Sequence, residues 1–288
     1  MASPNTIAIT SISADIGSLI PGKRHAPAVL LKAGLAQGLT HVGYKTTSHN
    51  ALPDGPAAWS LASIDPSGVK REKENVEVNH RVHEALTKTL KPIEADGRPS
   101  IQLILGGECC QLPGILTAFS HSLAPARRPG ALESMASFVR PDGKPLVDAG
   151  NVVFFGLNLD GGGNTREQLS VLFDGGHRVF TSSSIAAAPE ERAREALAWL
   201  EDRVDVILVH YDVDSIDAGS FPLANVPQFT GVKIDDSLRA LTVLLGGAKV
   251  GGLMVAEVNP DHDPGLSMTG KLVEGIVDAF KARRKTPE

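Results

Sequence analysis

Short apolar runs bounded by polar residues recur along the chain. Between them lie stretches whose apolar residues fall at helical spacing. Residues 6–12 read as a first strand, and 27–37 as a helix with Pro27 in its first turn. Residues 41–46 read as a short second strand, followed by a Pro/Gly/Ser-rich loop at 49–68. Val76, Val82, Leu86 and Leu90 place a helix over 75–90. A strand from 100 opens into Gly106-Gly107-Glu108, and a short helix follows over 112–120. From residue 151 the alternation is regular: strands at 152–156, 177–181, 204–211 and 251–258, helices at 165–174, 189–200, 235–245 and 269–284. Strand alternating with helix means βαβ units. The expected fold is a three-layer α/β one, a mostly parallel sheet with helices on both faces. No break in composition and no internal repeat divides the chain, so residues 1–288 read as a single domain.

Three of these runs end in acids. The apolar run Val206-Ile207-Leu208-Val209 leads into Asp212-Val213-Asp214. Strand alternation would point both carboxylates the same way, with Cα atoms roughly 7 Å apart. They would lie at the carboxyl end of a buried strand, where open α/β sheets bind ligands. Two like charges so close need a cation, a proton or a basic partner, and an all-oxygen pair suits a hard metal such as Mn²⁺ or Mg²⁺. The run at 251–258 contains Glu257 and is followed by Asn259-Pro260. The third is the Gly-Gly-Glu strand end, after which comes Cys109. His210 reads as a packed histidine, Asp217 as a turn residue, and Gly161-Gly162-Gly163 as a plain turn lacking a phosphate-loop Lys-Ser/Thr.

Together the Gly-Gly-acid strand end, Asp-Val-Asp-x-x-Asp and Glu-Val-Asn-Pro resemble the arginase/agmatinase (ureohydrolase) family. The loop and helix at 21–35 look like that family's first loop and helix, and the resemblance spans roughly residues 7–280. It implies an arginase-like fold and metal-dependent hydrolysis of a guanidino compound, arginine- or agmatine-like, to urea and an amine. It also implies two Mn²⁺ ions and a homo-oligomer. Carried over, Asp212 and Asp214 match the metal-ligand pair and Glu257 the acid that orients the guanidinium. Cys109 stands where the family has a histidine ligand, and a thiolate prefers softer ions than Mn²⁺. Glu108 replaces the usual Asp, and Asp217-Ala218 the usual Asp-Pro. Asp261 and His262, in the loop after Asn259-Pro260, are candidates to touch substrate, with His25 a weaker one.

One family element is missing from the pattern. Between residues 114 and 151 no apolar run ends in Asp-x-x-x-Asp, and only Asp142 and Asp148 sit six apart in a Pro/Gly-rich stretch. The chain reads as if a strand and loop of roughly 35–45 residues had been deleted near 124–128. The expectation is therefore an impaired hydrolase. One alternative is a non-catalytic arginase-like binding or assembly subunit, and a second is a one-metal hydrolase acting on another amide or amidine.

Composition narrows the rest. With 288 residues, 42% of them hydrophobic, the chain can bury a large core. A net charge of −5 gives no footprint for nucleic acid or an anionic membrane, and Lys23-Arg24, Arg127-Arg128 and Arg283-Arg284-Lys285 read as solvated surface. The two cysteines, Cys109 and Cys110, are adjacent and cannot staple distant segments, which suits a reducing compartment. No long apolar run and no leader pattern is present, so the cytoplasm is the expected location.

Overall fold

A computed structural model describes residues 6–61, 64–90, 101–123, 145–161 and 164–285. Its strands are β1 (Thr6–Ile12), β2 (Lys45–Asn50), β3 (Ile101–Gly106), β4 (Val153–Leu157), β5 (Arg178–Thr181), β6 (Ile207–Asp212) and β7 (Val250–Ala256). Its helices are α1 (Ala26–Lys32), α2 (Leu35–His41), α3 (Glu72–Thr89), α4 (Leu112–Leu123), α5 (Arg166–Asp174), α6 (Ser182–Ala187), α7 (Pro189–Glu201), α8 (Ile234–Leu245) and α9 (Ser267–Lys285). Five strands form one sheet in the order β2-β1-β3-β7-β6, with every neighbouring pair parallel. β4 and β5 form a separate parallel pair. The mostly parallel α/β architecture is the expected one.

The layers follow from the two-residue period of a strand. Ile7 and Ile9 of β1, Leu103 and Leu105 of β3, and Leu253 and Val255 of β7 point to one face. There they meet Leu30 of α1, Leu35 and Leu39 of α2, Leu241 of α8 and Ile276 and Phe280 of α9. Ile12, Ile104, Met254 and Ala256 point to the other face, against Val78, Val82 and Leu86 of α3 and Ile115 and Phe119 of α4. β7 is buried at all seven positions because it is an interior strand, between β3 and β6, with helices on both sides. Its Gly252 has no room for a side chain, since a Cβ there would meet Phe119 Cζ at 2.7 Å.

Two expectations need correction, and one helix is added. The single helix at 27–37 is two helices, α1 and α2, separated at Gly34, whose φ of +98° lies in the left-handed region that favours glycine. The second strand lies at Lys45–Asn50 rather than 41–46. It is a polar edge strand, placed by pairing with β1 rather than by its own hydrophobicity. Helix α6 was not read from the sequence; its signal is local, Thr181 Oγ1 capping it by accepting from Ser184 N.

β6 forms the outer edge of the five-stranded sheet, and Leu208, Val209 and His210 on it are only half-buried. Among the described residues no strand joins β6 to β4, and the β4–β5 pair has its own small cluster of Phe180, Ile185, Ala196 and Val232. The deletion expected near 124–128, Asp142 and part of the Gly161-Gly162-Gly163 turn lie outside the described residues. Among those described, no helix is long and apolar enough to cross a membrane.

Candidate functional site

β3, β7 and β6 are neighbours and run the same way, so their carboxyl ends lie side by side. Asp212 at the end of β6 pairs in register with Ala256 at the end of β7, and Glu257 follows immediately. The Glu257 N–H donates to Gly107 O at 2.9 Å, tying the end of β7 to the turn after β3. Glu257 is held at φ +66°, a left-handed conformation that costs a non-glycine residue about 1–2 kcal/mol. Gly107 is required here because a Cβ would sit 1.8 Å from Ala14 O, inside the backbone after β1. One Glu257 oxygen, Oε1, accepts from Cys109 N at 2.7 Å, and the other is ion-paired with the Lys23 ammonium. Cys109 Sγ lies 3.3 Å from Asp212 Oδ2 and 3.4 Å from His210 Nε2. The structure thus brings Glu257, Cys109 and Asp212 into one chain of contacts.

Asp214 arrives by a different route from the one strand alternation suggests. β6 stops at Asp212, and Val213–Ser215 form a single 3-10 turn. Asp212 Oδ1 caps this turn by accepting from Asp214 N at 2.8 Å, and Ser215 Oγ donates to Asp212 O at 2.7 Å. Asp214 is half-buried, and its Oδ1 is buried with no hydrogen-bond partner. His210 is packed against the same cluster. Two residues before Asp212 on the same strand, it shares that face and reaches Cys109, and the two-residue period would have shown this.

Lys23 is the largest surprise. It reads as solvated surface beside Arg24, yet it is 7% exposed and its ammonium bonds Glu257. Arg24 is likewise committed, to the buried Asp15, at 3.1 Å. Asp15, an acid just beyond an apolar strand, hints at a buried partner for Arg24, and nothing local points to Lys23.

The electrostatics follow from many acids sharing little solvent. The Asp214 carboxyl is pushed up to about 8, first by burial and then by the charges of Asp212 and Glu257, with Lys23 pulling the other way. Burial alone would lower the Lys23 ammonium, but Glu257 beside it, with Glu108 and Asp214 beyond, holds it above its ordinary value. Burial, then Asp212 and Glu257, push the Cys109 thiol far up, so it sits in this cluster as a neutral thiol. His210 is depressed by burial against the pull of the same two acids, which leaves a neutral imidazole.

The arginase family model matches residues 130–280, more than half of the chain. The chain belongs to the arginase family. An arginase from Bacillus caldovelox superposes with a TM-score of 0.76 at 19% identity, over 96% of this chain and 98% of that one. The formimidoylglutamase of Bacillus subtilis gives 0.69 at 16% identity, over 100% and 90%. A formiminoglutamase of Trypanosoma cruzi, described with Mn²⁺, gives 0.67 at 12% identity, over 99% and 95%. At these identities the superpositions speak for the fold. A comparison with curated proteins returns no match.

Among the described residues of this arginase-family chain, the donor set does not fit a pair of Mn²⁺ ions. Among the described residues, no group of three or more His, Cys, Asp or Glu side chains is placed to hold a metal. Both Asp212 oxygens are engaged, one by the Asp214 N–H and one by the Cys109 thiol. Both Glu257 oxygens are engaged as well. The donors left near them are one Asp214 oxygen and the softer Cys109 and His210, too few oxygens for two Mn²⁺ shells. Glu108 turns away to a structural task, accepting from Gly17 N at 3.0 Å, Ser18 Oγ at 2.6 Å and Gln111 Nε2 at 3.1 Å. Asp217 accepts from Lys233 at 2.6 Å, and its carbonyl receives Ser220 N, in keeping with a turn residue. Asp261 and His262 are exposed on the loop after Asn259, touching Asn259 and, among the described residues, hydrogen-bonding none of the clustered carboxylates. His25 is exposed on the loop side of α1.

Proposed function

We propose that this chain recognises a cationic guanidino or amidino group through Glu257 and the Asp212–Asp214 pair. As a ureohydrolase-type hydrolase acting on a C–N bond it is strongly impaired. The observation that carries this reading is the convergence of three strand ends, Glu257 touching Cys109 and Cys109 touching Asp212. A planar guanidinium or amidinium offers paired N–H donors that match carboxylates, and a cleft rich in acids at the end of a parallel sheet favours it. The impairment follows from the same residues. The nucleophilic water that two hard metals would supply has no matching donor set among the described residues. In addition, Lys23 already holds the acid that would orient the substrate. Loss of nucleophile activation and loss of orientation each cost about 10²-fold or more.

The test separates binding from turnover. Arginine, agmatine and guanidinobutyrate are offered with Mn²⁺ present, and urea release and binding heat are measured on the same preparations. Little or no urea is expected, with weak binding of a guanidino ligand that Glu257→Gln abolishes. Urea release at about one per second or faster, an ordinary enzymatic rate, and lost in Glu257→Gln, would mean that the site is complete and the impairment wrong. The second reading, a non-catalytic binding or assembly subunit, is favoured by the grip of Lys23 on Glu257. It predicts no guanidino binding at all.

A further inference from the structure

The segment that carries Lys23 is fixed from two sides. Gly22, at φ +116°, is packed so tightly on Asn259 that a Cβ would lie 2.3 Å from its Oδ1. Asn259 Nδ2 donates to Pro21 O at 3.1 Å and to Asn225 Oδ1 at 2.7 Å. On the other side Asp15, fully buried, accepts from Gly22 N at 2.9 Å, from Arg24 Nη1 at 3.1 Å and from Trp59 N at 2.7 Å. Lys23 is therefore delivered into the cleft by a locked backbone. It is not a surface lysine that has folded inward. Its ammonium contacts Glu257 and feels Glu108 and Asp214 as well.

The cluster needs a cation, because several acids meet there in little solvent. The Asp212 and Glu257 oxygens are already engaged within the protein, and an ammonium is already present. We propose that Lys23 is the resident cation of this cleft, a tethered ammonium that takes the electrostatic place of a metal ion and keeps divalent metals out. The cluster then needs no metal to fold. A positive charge fixed against Glu257 repels any ion approaching the Asp212 and Asp214 oxygens. A unit charge about 8 Å from a divalent ion weakens its binding by about a hundredfold or more even at an effective dielectric of ~20.

The test uses the full chain, Lys23→Met, and the double variant Lys23→Met/Glu257→Gln. It reads melting temperature with EDTA and with millimolar Mn²⁺, and bound manganese by electron paramagnetic resonance. The wild-type chain should melt at the same temperature in both and bind Mn²⁺ weakly. Lys23→Met should melt lower in EDTA, regain stability with Mn²⁺, and bind Mn²⁺ about a hundredfold more tightly. Should Lys23→Met fail to fold without metal, recovery on adding Mn²⁺ supports the proposal, as does folding of the double variant, in which no acid is left unpaired by the change. A wild-type chain that binds Mn²⁺ tightly through Asp212, with no gain in Lys23→Met, overturns it. So does failure of both variants to fold with or without Mn²⁺, because Lys23 would then be a packing residue. None of these readouts uses a guanidino ligand, so the outcome is independent of whether the cleft recognises one.

Discussion

Asp214→Asn should make the metal-free chain more stable in alkali, and the structure sets the size and the sign. The Asp214 carboxyl is half-buried, lies beside Asp212 and Glu257, and is pushed up to about 8 from its ordinary value of 3.8. In the unfolded chain it loses its proton near pH 4, whereas the native chain keeps that proton until about pH 8. Between those values the native state binds one more proton than the unfolded state, so rising pH removes stability. The contribution is fully present below about pH 4 and gone above about pH 8. Each pKa unit is worth about 1.4 kcal/mol. The side chain is only half-buried, and water and small movements relieve part of the repulsion. The expected loss is therefore about 2–4 kcal/mol. Asparagine keeps the shape without the charge, and the buried Oδ1 has no hydrogen bond to lose. The assay is urea unfolding of both proteins in EDTA across pH 4 to 9. The two curves should lie close together near pH 4 and diverge steadily, with the asparagine chain ahead by about 2–4 kcal/mol at pH 9. Parallel curves, or a wild-type chain that gains on the variant as pH rises, would show that the carboxylate is stabilised where it stands, and the reasoning would fail.

Other changes follow from single contacts. Gly107→Ala drives a methyl into the Ala14 carbonyl, a backbone atom with little freedom to yield. It should cost about 3 kcal/mol or more by urea unfolding, and a cost under about 1 kcal/mol would refute the close approach of the turns after β1 and β3. Asn259→Ala removes the donor to Pro21 O and Asn225. It should cost about 1–3 kcal/mol and speed hydrogen exchange of the Gly22 amide, whereas unchanged exchange would mean that Asp15 alone holds the loop. Cys109 and Cys110 are free thiols pushed up by burial and nearby acids, Cys110 to about 12. Both should react with iodoacetamide at neutral pH more slowly than an unfolded-chain thiol, and prompt alkylation in the native state would contradict their placement.

How far the sequence carries depends on whether a residue's task is read by periodicity or by a distant partner. β1, β3, β6 and β7 were legible because each is an apolar run, and the acids that end them were legible as a group because parallel strands carry their carboxyl ends to one edge. β2 was misplaced because its position comes from hydrogen bonds to β1, and its own residues carry no apolar pattern. Strand alternation placed the Asp pair for a partly wrong reason: Asp214 lies on a turn capped by Asp212 rather than on a strand. That His210 shares a face with Asp212 was legible from the two-residue period.

Lys23 was not legible at all, for a physical reason. A lysine next to an arginine in a polar segment is nearly always solvated, since burial of an ammonium is costly unless an acid meets it. The acid is Glu257, separated by 234 residues, and the loop is locked by Asp15 and Asn259, neither of which signals that task locally. The same long-range pairing gives Asn259-Pro260 a use apart from substrate contact. In this chain the asparagine of that motif faces Gly22 and Pro21 and so sets where Lys23 stands. A motif that carries the family resemblance thus also sets where the Lys23 ammonium meets Glu257. Glu257 is reached from both ends of the chain, through strand β7 that places it and through the Gly22 turn that brings its counter-ion. That arrangement makes the charge balance of the cleft a property of the fold itself.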